Sequence, residues 1–362
     1  MPETHGRRRA ALRGLLTGAG VDALLVTDLL NIRYLTGFTG SNAAVLVHAE
    51  GDGKTLFCTD GRYTTQSAAE VPDLETVVDR ASAAALVAKA ARDTKTYGKL
   101  GFESQHVSVE AYEALNEHVP LKRTPGLVER LREVKDEAEV EALRQACAAA
   151  DRALDDLLAA GGLRPGRTEL EIARDLENRM LEHGSAEPSF ASIIAAGAHS
   201  AIPHHRPTHA ELKRGDFVKM DFGATVDGYH SDMTRTFVLG APADWQREVY
   251  DLVHAAQATG LAAVVPGVPV SEVDSAARGV IVAEGRGPEF AHGLGHGVGL
   301  QIHEAPSLAA TGVGTLAAGM AVTVEPGVYL AGHGGVRIED TLVVRAGEPE
   351  LLTLSTKNLV VV

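Results

Sequence analysis

Residues 221–236 of the chain read DFGATVDGYHSDMTRT. Its glycine-containing centre, flanked by apolar and β-branched residues, predicts two strands joined by a turn. Asp221 and Asp232 stand eleven residues apart in this stretch, although β-strands disfavour aspartate. The two carboxylates therefore indicate a purpose other than forming the sheet.

A second segment of the chain repeats this pattern. The runs VKMDFG (218–223) and VTVEPG (322–327) share apolar alternation, an acid and a glycine, and Glu339 follows Glu325 by fourteen residues. We therefore predict two antiparallel hairpins with an inward-facing carboxylate on each strand. If the hairpins face each other, four carboxylates converge, and buried like charges must be neutralised. Metal ions are the usual means of doing so.

A histidine-rich run between the hairpins, HGLGHGVGLQIHE, contains His292, His296 and His303. Its glycines allow a backbone and a cation to approach closely. One imidazole and four carboxylates make a set of five ligands dominated by oxygen, which favours Mn²⁺, with Co²⁺ or Zn²⁺ as alternatives. The run does not form an HExxH zinc helix, because it lacks the glutamate and its glycines disfavour a helix.

Each of these motifs has a simpler explanation when it is taken alone. DFG also occurs in protein kinases, but the other kinase motifs are missing from this chain. His296 by itself would more often be a hydrogen-bonded histidine than a ligand, and Asp232 by itself could be a turn residue. Only the ordered combination of all the motifs indicates a metal site.

Composition restricts the class of protein. The 362 residues suggest two to three domains. A formal net charge of −14 argues against nucleic acid or an anionic membrane as a partner. Cys58 and Cys147 are the only cysteines, which indicates a reducing compartment. Arg13 and Asp22 interrupt the N-terminal apolar run, so we expect neither a signal peptide nor a membrane span, and a cytoplasmic protein.

The first 130 residues alternate between helix-like and strand-like runs. A short helix over residues 8–17 is followed by strands in DALLVTD, AAVLVHA, KTLFCTD and LETVVD, and then by the helix ASAAALVAKAARD. This alternation is typical of an α/β domain.

The charged, helix-periodic run over residues 127–161 predicts one long helix that opens a second domain. We place the boundary near Arg132, which gives domains 1–131 and 132–362. A further helix begins at Thr168, with Glu171 completing a capping box. Strands dominate from residue 217 onward, with helices near 243–260 and 271–285.

The ordered motifs together resemble a known family. SFASIIAAGAHSAIPHH, GDFVKMDFGATVDGYHSDMTRTF, HGLGHGVGLQIHEAP, VTVEPGVY and GGVRIEDT closely resemble the pita-bread metallopeptidases of the aminopeptidase P and prolidase group. NIRYLTGFTGSNAAVLV and FCTDGRYTTQ resemble that group's creatinase/prolidase N-terminal domain. The resemblance implies an α/β N-terminal domain, an α+β pita-bread catalytic domain, a homodimer, and hydrolysis of short peptides before a proline in the second position.

The resemblance also implies a dinuclear metal site, and it selects His296 as the imidazole of the five-ligand set. Asp232 and Glu339 would bridge two divalent ions. Asp221 would bind one ion, and His296 with Glu325 the other.

Further roles come from the same resemblance. Glu325 would act as general base, and three histidines would lie near the reacting carbonyl: His204, His292 and His303. Arg337 would brace the carboxylates and, with His204 and His303, contact the substrate. His205 and His209 follow His204, so its assignment depends on its place after Ile-Pro. Lys219 is expected to point away from the site.

Two alternatives to an Xaa-Pro peptidase are kept. Methionine aminopeptidases share the five-ligand pattern, but the N-terminal domain and the SAIPHH and HGVGLQIHE runs argue against this. A non-catalytic pita-bread binding protein would be expected to lose metal ligands, whereas this chain keeps all five. Creatinase works without metal and would not be expected to keep the set. Within the preferred group, we favour aminopeptidase P-type activity with dipeptide cleavage as a second activity. Arg33 or Tyr34, expected in an N-terminal loop, could then limit substrate length.

Overall fold

The computed structural model describes residues 2–362. They form two compact units, one that ends at Arg132 and one that spans Glu133–Val362. Among the described residues, no helix is both long enough and apolar enough to cross a membrane.

The N-terminal unit is built on one mixed sheet with helices around it. Its strands are β1 (Ala23–Val26), β2 (Ala43–His48), β3 (Leu56–Thr59), β4 (Glu75–Val78), β5 (Leu100–Phe102) and β6 (Leu121–Arg123). Its helices are α1 (Pro2–Ala19), α2 (Leu29–Thr36), α3 (Thr64–Glu70), α4 (Ser82–Arg92), α5 (Thr94–Tyr97), α6 (Val109–Asn116) and α7 (Glu129–Arg132).

The six strands run in the order β4-β3-β2-β1-β5-β6. The pairs β1–β2 and β2–β3 are antiparallel, whereas the other three pairs are parallel. Leu86 and Val87 of α4 are fully buried in the same cluster as Leu25 and Leu46 of the sheet. The predicted α/β class is confirmed, and α1 begins earlier than the predicted short helix.

Arg33 and Tyr34 lie in helix α2, so their predicted placement in a loop is wrong. Asp28 caps α2 by accepting a hydrogen bond from the Leu30 N–H at 2.9 Å, and Gly37 ends it in the left-handed conformation (φ 82°). Tyr34 is buried, and its hydroxyl donates a hydrogen bond to a backbone carbonyl of the same unit. Arg33 is half-buried, and its side chain makes no hydrogen bond or ion pair with residues 2–362.

The long helix predicted over residues 127–161 is interrupted. Helix α7 ends at Arg132, and α8 (Glu137–Ala159) begins with a new capping box formed by Asp136 and Glu139. The Asp136 side chain accepts hydrogen bonds from two N–H groups of the first turn, which satisfies donors that an unbroken helix would not expose. The charged residues of this run therefore include the N-terminal cap of a new helix as well as solvent-facing side chains.

The C-terminal unit contains three more helices after α8 and twelve strands. The helices are α9 (Glu169–Glu182), α10 (Asp244–Ala262) and α11 (Val270–Ala283). The strands are β7 (Ile193–Ala196), β8 (Phe217–Phe222), β9 (Thr225–Val226), β10 (Tyr229–His230), β11 (Met233–Val238), β12 (Gly295–Gly297), β13 (Glu304–Leu308), β14 (Ala321–Val324), β15 (Gly327–Leu330), β16 (Gly334–Arg337), β17 (Asp340–Val343) and β18 (Glu350–Leu351).

Two sheets in this unit each carry a pair of helices. The sheet β11-β8-β7 shares one core cluster with α8 and α9, and the sheet β13-β12-β14-β17-β18 shares another with α10 and α11. In β8, Met220 and Phe222 belong to the core with α8 and α9. Because strand side chains alternate, Lys219 and Asp221 face the opposite side. The predicted α+β class and the capping box at Thr168 are confirmed.

Both predicted hairpins form, but most of their carboxylates lie at strand ends rather than within strands. In the first, β8 pairs antiparallel with β11, and Asp221 lies opposite Thr234. Asp232 lies one residue before β11. In the second, β14 pairs with β17, and the β15–β16 ribbon is inserted between Glu325 and Glu339. Strand ends let these side chains point into a shared space without disturbing the ladder.

Candidate metal centre

The two hairpins meet through hydrogen bonds to backbone carbonyls. The N–H of Glu339 donates to the Thr234 carbonyl at 3.1 Å, and the Thr341 hydroxyl donates to the Asp232 carbonyl at 2.8 Å. This junction brings the four predicted carboxylates to the wall of one cavity of about 810 Å³. They are Asp221, Asp232, Glu325 and Glu339.

His296 extends into the same cavity from β12. Its Nε2 lies 3.5 Å from Asp232 Oδ2 and 3.4 Å from Glu325 Oε1. Its Nδ1–H donates to the Gly297 carbonyl at 3.0 Å, which leaves Nε2 as the nitrogen free to bind a cation. Glycine is required on both sides of His296. A Cβ at Gly295 would lie 2.0 Å from a backbone oxygen of the neighbouring strand, and a Cβ at Gly297 would lie 2.1 Å from another backbone oxygen.

The donor set fits a pair of divalent cations. Ligand atoms of Asp232, His296 and Glu339 all lie within 4.8 Å of one another. Asp221 Oδ1 and Glu339 Oε1 are buried without a hydrogen-bond partner among the described residues. A buried carboxylate oxygen without a donor is costly, and a cation would satisfy both of these atoms. Each of the five predicted ligand positions therefore borders the space that such ions need.

Electrostatics support the same conclusion. Burial, followed by repulsion from neighbouring carboxylates, raises the pKa of Asp232 and of Glu339 well above the ordinary value. Burial also raises the pKa of Glu325. These groups therefore bind protons more tightly in the metal-free protein, and metal binding competes with those protons.

A pH-dependent effect of metal removal follows from these shifts. A carboxyl group whose pKa is raised by folding stabilises the metal-free protein fully when the pH is below the group's pKa in the unfolded chain, which is about 4. This stabilisation is lost as the pH rises through the higher pKa of the folded protein. We therefore expect the difference in melting temperature between metal-loaded and dialysed metal-free protein to widen from pH 5 to pH 8. Thermal unfolding at a series of pH values measures it.

Asp232→Asn serves as the comparison for this series, because it removes one of the repelling groups. Metal-free Asp232→Asn is expected to lose less melting temperature between pH 5 and pH 8 than metal-free wild type. In wild type, a difference between metal-loaded and metal-free protein that is constant or shrinks as pH rises would contradict the role assigned to these carboxylates.

Arg337 is the buried cation that offsets part of this negative charge. Its Nη2 is ion-paired with Asp221, and its Nε lies 3.8 Å from Glu325 Oε2. Its Nε also donates to the Thr234 hydroxyl at 3.0 Å, and that hydroxyl donates to Glu339 at 2.7 Å. One guanidinium therefore orients three of the carboxylates directly or through a threonine.

His204 and His303 border the cavity with free imidazoles. Neither side chain makes a hydrogen bond within residues 2–362, and both are exposed to the cavity. Burial lowers the pKa of each, so both are neutral near pH 7 and can each donate one N–H. The rings of His303 and His296 contact edge to face, with centroids 4.4 Å apart.

His292 also borders the cavity, but both of its ring nitrogens are occupied. Its Nδ1–H donates to the Gly293 carbonyl at 2.8 Å, and its Nε2 accepts from the Tyr329 hydroxyl at 2.8 Å. That hydroxyl in turn accepts from Arg337 at 2.9 Å. Burial lowers the pKa of His292 to about 4. A neutral His292 thus supports the Tyr329–Arg337 pair and has no free donor for a substrate.

Lys219 does not point away from the site, and that prediction was wrong. Residues 219 and 221 are two apart on one strand, so they share a face. The Lys219 Nζ donates to the carbonyls of Ile202 and Pro203 at 2.7 and 3.2 Å and lies 5.0 Å from the centre of the Tyr329 ring. Burial lowers its pKa to about 6.

Sequence reasoning did not single out Tyr329 and Thr234 as part of the site. Tyr329 lies in the run VTVEPGVY, and Thr234 lies in the stretch over residues 221–236. A tyrosine or threonine beside an acidic ligand is a weak signal, because either is also common in strands.

Comparison with known proteins gives matches over nearly the whole chain. Residues 141–346 match the model of metallopeptidase family M24, and residues 8–134 match that of the creatinase/prolidase N-terminal domain. The uncharacterized peptidase YqhT of Bacillus subtilis (strain 168) is 38% identical over 355 residues, which cover 97% of this chain and 98% of that protein.

Solved structures show the same two-domain architecture. The Xaa-Pro dipeptidase from Bacillus anthracis superposes with a TM-score of 0.93 at 38% identity, covering 99% of this chain and 100% of its own. The X-Pro aminopeptidase from Thermotoga maritima MSB8 superposes with a TM-score of 0.87 at 34% identity, covering 95% and 98%.

Proposed function

Because this chain belongs to metallopeptidase family M24 and carries a creatinase/prolidase N-terminal domain, we propose that it hydrolyses the peptide bond between an N-terminal residue and a following proline. The observation that supports this proposal is the convergence of the five predicted metal ligands and two free imidazoles on one cavity. The similarity to an Xaa-Pro dipeptidase and an X-Pro aminopeptidase supports proline as the second residue.

The proposed cofactor is a pair of divalent ions, Mn²⁺ in preference to Co²⁺ or Zn²⁺ because four of the five ligands are carboxylates. When bound, such ions polarise a carbonyl and lower the pKa of water. The residues that would hold them are Asp221, Asp232, His296, Glu325 and Glu339. Metal-free protein can be reloaded with each ion in turn. Metal analysis then measures the number of bound ions, and an assay of peptide hydrolysis identifies the ion that supports activity.

Glu325 is the proposed proton carrier. Its carboxylate borders the cavity, and its Oε1 lies 3.4 Å from His296 Nε2, so it is within reach of a water or substrate in the cavity, as a general base must be. Glu325 would accept a proton from the attacking water and return it to the proline nitrogen. That nitrogen belongs to a tertiary amide and must be protonated before it can leave.

His204 and His303 are the proposed oxyanion donors. Each is a neutral imidazole without a hydrogen-bond partner in the described part of the chain, so an N–H is available to the negative oxygen that develops on the scissile carbonyl. One such donor is worth about 3 kcal/mol in the transition state.

The decisive assay compares three substrates with Mn²⁺ present: an Xaa-Pro dipeptide, an Xaa-Pro-Yaa tripeptide, and a Met-Ala-Yaa tripeptide. We expect cleavage of both proline substrates, with the tripeptide preferred. Preference for Met-Ala-Yaa would support a methionine aminopeptidase-like enzyme instead. No cleavage of any substrate by metal-loaded protein would favour a non-catalytic binding protein.

Substrate length gives a prediction for Arg33, a residue of the N-terminal unit that is not among those lining the cavity. That Arg33 reads the free C-terminal carboxylate of a dipeptide stays a prediction. Its half-buried guanidinium has no partner among residues 2–362, so it could bind an anion. Arg33→Ala is expected to lower kcat/KM for the dipeptide and leave kcat/KM for the tripeptide unchanged. Arg92→Ala, which removes an exposed arginine from the end of α4, is the matched control. Equal values for wild type and Arg33→Ala with both substrates would rule the role out.

We also propose a cytoplasmic homodimer. Cys58 and Cys147 are buried, unpaired thiols, as expected in a reducing compartment. Analytical ultracentrifugation of the metal-loaded protein measures the oligomeric state, and fractionation of the native cells measures the compartment.

A further inference from the structure

The segment that carries His204 has little regular structure of its own. It follows β7 and contains only a short 3₁₀ turn, Gly197–Ala201, before residues 202–208. His204 itself makes no hydrogen bond to any residue of the described chain. The position of its imidazole must therefore be set by whatever holds the segment.

Glu169, the first residue of helix α9, holds both ends of this segment. It is fully buried, and its carboxylate accepts five hydrogen bonds, all from residues 196–208. On one oxygen they come from the Ala196 N–H and His199 Nδ1, each at 2.9 Å. On the other they come from His205 Nε2 at 2.9 Å and from the N–H and hydroxyl of Thr208 at 2.9 and 2.8 Å.

The chemistry of this cluster makes it a rigid anchor. Burial by itself would raise the pKa of Glu169, but the donors of the segment outweigh burial and lower it, so the group is a carboxylate at neutral pH. Hydrogen bonds to an ionised acceptor are about twice as strong as neutral ones. The rings of His199 and His205 also stack, with centroids 4.3 Å apart. His205 is the neighbour of His204 in sequence, so fixing one restricts the other.

Glu169 lies outside the cavity and contacts none of the five proposed metal ligands. Other groups that hold the segment include Lys219 and Arg337, which both donate to the carbonyl of Pro203 at 3.2 Å. Arg337 is also ion-paired with Asp221, so replacing it would disturb a proposed metal ligand. Glu169 is therefore the anchor whose replacement can be interpreted without disturbing metal binding.

We propose that Glu169 is a positioning residue that fixes the His204 imidazole for catalysis by clamping the 196–208 segment at both ends. This inference rests on the proposed function, because it requires His204 to act on the substrate.

Glu169→Gln tests the inference. The glutamine amide keeps the shape of the side chain, but it has an NH₂ group where one of the two carboxylate oxygens was. That NH₂ group cannot accept hydrogen bonds from the donors on its side, so only one end of the segment stays bound. We expect kcat for Xaa-Pro-Yaa to fall about 10- to 100-fold, with KM and metal content near the wild-type values. Glu171→Gln is the matched control, since Glu171 lies in the same helical turn but is exposed, and its kcat is expected to stay unchanged.

A double-mutant cycle with His204→Ala separates positioning from general damage. If Glu169 acts through His204, Glu169→Gln has little further effect on kcat once the imidazole is gone. Full additivity of the two losses would overturn the proposal.

Hydrogen exchange gives a readout that does not depend on activity. Amides of residues 196–208 are expected to exchange faster in Glu169→Gln than in wild type, and unchanged exchange would overturn the proposal. If wild type cleaves no Xaa-Pro substrate, the proposed function fails, whereas the exchange result still decides whether Glu169 clamps the segment.

Two further measurements complete the test. Thr208→Val is a milder variant that removes one of the five donors, and it should show a smaller loss of kcat in the same direction if Glu169→Gln does not fold. The cluster Glu169, His199 and His205 could also hold a metal ion. An additional equivalent of Zn²⁺ that binds wild type and is lost in Glu169→Gln would assign the cluster to metal binding and overturn the proposal.

Discussion

Replacing Asp232 with asparagine is expected to abolish hydrolysis of Xaa-Pro peptides and to lower the bound metal. Asp232 is buried, and its carboxylate lies 3.5 Å from His296 within the cluster that also contains Glu339. An amide has the same shape but no negative charge to share with cations. Losing several kcal/mol of metal-derived stabilisation of the transition state corresponds to about 10³-fold or more in kcat.

Metal analysis of the dialysed variant, together with kcat in excess Mn²⁺, measures both effects. Asp227→Asn is the control, because Asp227 is exposed in the turn of the same hairpin. It has a positive φ of 47°, which asparagine also tolerates. Metal content and kcat of this control should match wild type. If Asp232→Asn kept full activity, or if wild type were fully active without metal, the dinuclear centre would be rejected.

Replacing His303 with alanine is expected to lower kcat by about 10²- to 10³-fold, the value of one oxyanion donor. The imidazole is exposed to the cavity, has no hydrogen-bond partner within residues 2–362 and contacts the ring of His296. Its loss should leave KM and metal content close to wild type, because the carboxylates and His296 remain. Steady-state kinetics at saturating Mn²⁺ and metal analysis make the measurement.

His209→Ala is the matched control for His303→Ala, since His209 is an exposed histidine that does not line the cavity. Its kinetics should be those of wild type. A collapse of metal content in His303→Ala would instead identify His303 as a ligand and would call the assignment of His296 into question.

Most of the proposed metal centre could be predicted from the sequence. Acids at repeated places in two predicted hairpins, with a histidine-rich run between them, are local patterns that do not depend on the rest of the fold. Asp221 could be named in this way and His296 through the family resemblance, and the structure brings both to one cavity. The domain classes were also predictable, since strand and helix periodicities are properties of neighbouring residues.

The arrangement around those ligands could not be predicted in the same way. The inserted β15–β16 ribbon puts Glu325 and Glu339 at strand ends. The bonds from Tyr329 to His292 and from Arg337 to Thr234 join residues that are 37 and 103 positions apart. Such contacts depend on how two sheets pack, for which no short motif exists.

Side-chain chemistry and spacing along short stretches were enough to identify which residues could bind cations, the α/β and α+β classes of the two units, and the family that the chain resembles. Packing between distant elements sets which imidazoles remain free: His204 and His303 have open donors, whereas both nitrogens of His292 are occupied. Packing also brings Glu169 into contact with the segment that carries His204, through hydrogen bonds between residues that are 27 to 39 positions apart in the sequence. Hydrogen-bond partners in a core depend on packing between residues that are far apart in the sequence, so no local sequence pattern identifies them.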